Sequence, residues 1–63
     1  MSDEPGEAYL VTWDGERVPC LLERLGPSRW QAVPVRPLRR DDVEAGTVDV
    51  LPAGATVAFV LES

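Results

Sequence analysis

The stretch Ala8-Tyr9-Leu10-Val11-Thr12-Trp13-Asp14-Gly15-Glu16-Arg17-Val18-Pro19-Cys20-Leu21-Leu22 decides how this chain folds. Two runs rich in β-branched, aliphatic and aromatic residues flank Asp14-Gly15, a dipeptide that favours a two-residue type I′ hairpin turn. That loop length sets a register in which Trp13 faces Glu16, Val11 faces Val18 and Tyr9 faces Cys20. These six share one side of the ribbon, while Leu10, Thr12, Arg17 and Pro19 occupy the other. One face is then mostly apolar and the other mixed, as a half-buried sheet requires.

Working outward, Pro19 has no N–H to donate, so a third strand should not pair with the second at that point. The adjacent Leu21 and Leu22 break the alternation, consistent with a bulge or with a strand whose two faces are both covered. Gly26-Pro27-Ser28 ends the second strand, and Arg29–Val35 reads as a third, with Pro34 and Pro37 marking its end. Between Pro37 and Gly46, residues 38–45 have room for one short helical or 3₁₀ turn. Thr47–Leu51 and Thr56–Leu61 read as two last strands around Pro52-Ala53-Gly54-Ala55. Pairing them as a hairpin with Val50 opposite Val57 and Val48 opposite Phe59 keeps their apolar residues on one side.

The expected fold class is therefore all-β: a small five-stranded meander closing into an SH3-like barrel, with an OB-like barrel as the alternative. Closure removes the exposed edges of so small a sheet. The expected core is Val11, Val18, Cys20, Leu22 and Trp30 from the first three strands, and Val48, Val50, Val57, Phe59 and Leu61 from the last two. Tyr9 or Trp13 would lie at its margin. Leu10, Leu21, Val33, Val35, Ala58 and Val60 fall on the opposite face as surplus apolar positions. Residues 1–7, with three acids, Pro and Gly, read as a flexible acidic tail, leaving 8–63 as one domain.

Composition narrows the chemistry. The 63 residues are 44% hydrophobic and 27% charged, the balance of a globular chain rather than a disordered one. There is no His and no Lys, so the usual neutral-pH acid–base group and the Schiff-base amine are both missing. One thiol without histidine is no zinc site, and Val43 and Ala45 fall where a calcium loop needs oxygens. The reading is a non-enzyme with no cofactor, no metal and no small-molecule substrate. The lone Cys20 suits a reducing compartment, and residues 1–7 lack the basic start of a secretory signal, so a cytoplasmic protein is expected. No apolar run is long enough for a membrane helix.

The net charge of −5 is unevenly spread. Arg29, Arg36, Arg39 and Arg40 form a basic segment with no acid among them, and Asp41, Asp42, Glu44 and Asp49 follow it. Local pairing of Arg39 or Arg40 with Asp41, Asp42 or Glu44 is the plain expectation. The candidate partner-binding residues are Tyr9, Trp13 and Trp30, as aromatic anchors, with Arg36, Arg39 and Arg40. The functional expectation is a protein-interaction module that docks on a larger protein or on itself. Two alternatives belong to other classes. One is a nucleic-acid-binding barrel using the Arg29–Arg40 segment with Trp30 as a stacking platform. The other is an acidic inhibitor that mimics nucleic acid.

Overall fold

The computed structural model describes residues 4–62. Five strands form one mixed sheet: β1 (Ala8–Thr12), β2 (Arg17–Gly26), β3 (Arg29–Pro34), β4 (Val43–Val48) and β5 (Thr56–Phe59). Among the described residues a single 3₁₀ turn, Arg40–Asp42, sits between β3 and β4, inside the 38–45 window expected for it. The strand order is β4-β1-β2-β3-β5. Antiparallel pairing joins β4 to β1, β1 to β2 and β2 to β3, while β5 runs parallel to β3. The sheet curls into a nearly closed all-β barrel. This arrangement is consistent with a small SH3-like or OB-like barrel.

Only the first three strands form a meander. The hairpin expected between the last two strands is replaced by a crossing: β4 lies at one edge of the sheet and β5 at the other. β4 also begins earlier than expected, at Val43, and Val50 and Leu51 lie outside it, 59% and 50% exposed. The two edges meet through side chains. A Cβ added at Gly46 would stand 2.6–2.9 Å from the ring of Phe59, so the missing side chain of Gly46 is what admits that ring. Beyond β5, Glu62 N donates to the Leu38 carbonyl at 2.8 Å and Arg40 N to the Glu62 carbonyl at 3.3 Å.

The β1–β2 register differs by one residue from the expected one. Leu10 pairs with Val18, Tyr9 with Pro19 and Ala8 with Cys20. The loop has three residues, Trp13-Asp14-Gly15, because only Gly15 takes positive φ, at +89°, where a type I′ turn would need two such residues. Gly15 N donates to the Thr12 carbonyl and Thr12 N to the Glu16 carbonyl, both at 2.9 Å. The Thr12 hydroxyl donates to Asp14 Oδ1 and accepts from Glu16 N, which fastens the longer loop.

That slip turns β1 over. Ala8, Leu10 and Thr12 point inward, and Tyr9, Val11 and Trp13 point outward, so Trp13 and Val11 do not share a side with Val18. β2 keeps the parity expected for it, with Val18 buried and Cys20 and Leu22 half-buried. The core is built on Leu10, Val18 and Leu38, with Trp30, Ala8 and Ala32 also buried. Cys20, Val43, Phe59 and Leu61 pack against it from the sides. Burial pushes the Cys20 thiol up, away from the reactive thiolate form.

Two further local expectations are revised. Leu21 and Leu22 continue the alternation without a bulge, and the irregularity lies instead between Arg24 and Gly26. β2 also runs through Pro19 without a break: the β2–β3 register pairs end at Cys20–Pro34, yet Val35 N still donates to the Pro19 carbonyl at 3.0 Å, using the acceptor that proline keeps. Of the tail expected at 1–7, residues 1–3 lie outside the described residues. Pro5 is buried, Gly6 N donates to the Val50 carbonyl and the Glu7 carbonyl accepts from Asp49 N, each at 2.7 Å. Among the described residues no helix is long and apolar enough to cross a membrane.

Candidate functional site

Strict alternation along β2 sends Arg17, Pro19, Leu21 and Glu23 outward while Val18, Cys20 and Leu22 turn in. Register then aligns like with like across the outer face. Tyr9 lies beside Pro19, and Val35 N reaches the Pro19 carbonyl at 3.0 Å. One row along, Leu21 pairs with Val33, and Val60 follows β5 beside them, its N–H bonded to the Ala32 carbonyl. Leu21 is 67% exposed, Val35 58% and Val60 43%. Three adjacent strands thus hold aliphatic side chains out to water at matched heights, an arrangement that burial on folding does not explain.

The ends of this face are polar. Arg17 places its guanidinium 5.1 Å from the centre of the Tyr9 ring, a cation–π contact between the two strands. At the far end Gln31 Nε2 donates to Glu23 Oε2 at 2.8 Å.

A second surface feature is a cleft of about 410 Å³ beside the β1–β2 turn, lined by Trp13, Asp14, Glu16, Arg36, Pro37 and Asp42 among others. The Trp13 indole is 69% exposed at its mouth, and Trp13 N donates to the Asp42 carbonyl at 3.3 Å. Arg36 Nη2 meets Glu16 Oε1 at 2.6 Å, tying the segment after β3 to the turn. Both partners are about half exposed, so solvent screens the pair and it ties the segments loosely. The Thr12 hydroxyl and the turn amides hold the Asp14 carboxyl below its ordinary range.

Of the six residues expected to form one binding patch, Trp13 and Arg36 share this cleft. Tyr9 belongs to the outer sheet face, and Arg39 and Arg40 line a separate hollow with Leu61 and Glu62. Trp30 is 7% exposed, inside the barrel, with the Arg24 guanidinium 5.5 Å above its ring. Its inward position follows from sharing a face of β3 with Ala32, and it removes Trp30 from any surface platform. Arg39 and Arg40 form no ion pair with Asp41, Asp42 or Glu44 among the described residues, and Arg36 pairs across to Glu16 instead.

Leu21, Val33, Val35 and Val60 are surplus apolar positions of the sequence that lie outside the six expected site residues, as do Arg17 and Glu23. The signal was present in the period-two pattern from Arg17 to Glu23. Among the described residues no group of three or more His, Cys, Asp or Glu side chains is placed to hold a metal ion. No protein-family model, curated protein or solved structure matches the chain.

Proposed function

We propose that this protein is a non-catalytic interaction module that acts by docking the outer face of β1, β2, β3 and the end of β5 onto another protein surface. One observation carries the reading: Leu21, Val35 and Val60 stand in neighbouring rows on that face, 67%, 58% and 43% exposed. Burying such side chains yields ~25 cal/mol per Å² of apolar surface removed from water, a driving force the isolated barrel leaves unused. Absence of His and Lys from the sequence supports a docking role over acid–base or Schiff-base catalysis. A lone, half-buried Cys20 suits work in a reducing compartment, which for this reading is the cytoplasm.

The test is affinity capture from the native host with three baits: the wild type, Leu21→Asp and Trp13→Ala. Loss of the same protein with Leu21→Asp, and its retention with Trp13→Ala, supports docking through the sheet face. The reverse pattern moves the site to the turn cleft. Binding to single-stranded oligonucleotides that weakens steeply with salt would replace the reading with the nucleic-acid alternative.

A further inference from the structure

We infer that the partner seated on the outer face of β2 is a second copy of this chain, related by a twofold axis that crosses β2 at Cys20. The inference rests on the docking reading above and names its occupant. The outward side chains of β2 run Arg17, Pro19, Leu21, Glu23: basic, apolar, apolar, acidic, at equal steps of two residues. The pattern is self-complementary. A half-turn about an axis lying in the face and perpendicular to the strand sets Arg17 of each copy over Glu23 of the other, twice, and Pro19 over Leu21.

The neighbouring strand obeys the same operation. Val35 lies beside Pro19 and Val33 beside Leu21, so Val35 of one copy meets Val33 of the other. An axis parallel to the strand would instead stack Arg17 on Arg17 and Glu23 on Glu23, so charge selects the first arrangement over the second. Both charged ends are already positioned, Arg17 by the Tyr9 ring and Glu23 by Gln31. Neither carries an ion pair among the described residues.

Size permits the contact. A standard interface buries ~800 Å² per partner. The protein exposes 4543 Å² in all, and its broad side measures 35 × 20 Å. Face-to-face packing of the two sheets, ~10 Å apart, would cover Leu21, Val33 and Val35 in a single layer. Such an isologous contact closes on itself and gives a dimer, not a fibre.

Sedimentation equilibrium on the full chain tests this. The wild type should dimerise reversibly, and Leu21→Asp should sediment as a monomer with an unchanged circular dichroism spectrum. Arg17→Glu and Glu23→Arg should each weaken self-association at least ~10-fold, because each sets like charges over one another. Mixing these two single variants should restore pairing between them, and the double variant R17E/E23R should dimerise as the wild type does. A wild-type chain that stays monomeric at ~1 mM overturns the inference, as does failure of the mixed variants to pair. A monomer that still loses a captured protein on Leu21→Asp overturns the second copy alone. If Leu21→Asp changes neither, the docking reading falls with it.

Discussion

Two loops that each turn on a glycine behave differently in this molecule. Trp13-Asp14-Gly15 and Pro52-Ala53-Gly54-Ala55 each place a glycine at positive φ, +89° at Gly15 and +80° at Gly54. The first folds β2 straight back onto β1. The second carries the chain from β4, at one edge of the sheet, to β5 at the other. A glycine of this kind reports that the backbone reverses locally. Whether the flanking strands then pair depends on what else they find to bond with. β4 finds β1, and β5 finds β3.

The largest expected effect breaks or confirms the outcome of the first loop. Leu10 is 1% exposed and Val11 half-buried, so Leu10→Ala should cost ~2–5 kcal/mol, and Val11→Ala under ~1.5. A domain of this size holds only ~3–5 kcal/mol in total, so the first variant should be largely unfolded by urea titration and the second should not. Equal costs, or a costlier Val11→Ala, would restore the two-residue turn and reverse the faces of β1.

Next in size is the crossing made by the second loop. Gly46→Ala places a methyl within 3 Å of the Phe59 ring and should cost ~1–3 kcal/mol by forcing β4 and β5 apart. Chemical shifts of the Phe59 ring should move with the unfolding midpoint. Pairing the change with Phe59→Leu should give a loss smaller than the sum of the two, since each variant disturbs the same contact.

A more modest effect compares the loops directly. A Cβ at Gly15 or Gly54 would meet nothing within 4 Å, so Ala at either site suffers only its own backbone strain, ~1–2 kcal/mol. Thermal melts should drop alike for both. Backbone shifts should change along β1 and β2 for Gly15→Ala but stay confined to the loop for Gly54→Ala.

The smallest effect concerns pH. The Thr12 hydroxyl and nearby amides lower the folded-state pKa of Asp14 below that of the unfolded chain. Its contribution is therefore full above the ordinary carboxylate range and is lost as the pH falls through the lowered folded value. NMR titration should find the Asp14 midpoint below that of an unstructured aspartate, and Thr12→Val should move it upward.

The barrel class, the 3₁₀ turn and the surplus apolar positions at Leu21, Val35 and Val60 were legible because each follows from local pattern. What escaped depended on one atom or on distant partners. The extra loop residue hinged on the Thr12 hydroxyl, which stabilises a three-residue turn where Asp-Gly alone suggests two. The same slip placed Leu10 inside and made Val11 a surface residue. The β4–β5 crossing was invisible because Val48, Val57 and Phe59 satisfy a hairpin pattern as well as a pattern of opposed edges. For the site, the basic segment drew attention by charge, whereas Arg36 finds its acid twenty positions back in the turn.

Because the seam between β4 and β5 is joined by an aromatic ring lying over a bare backbone and not by a ladder, each of these strands keeps one margin without a neighbour. Thermal breathing should start there, with amides along that margin trading deuterium well before those of β1 and β2. Solvent and proteases would reach the oily interior sideways through this slot, not through either mouth of the barrel.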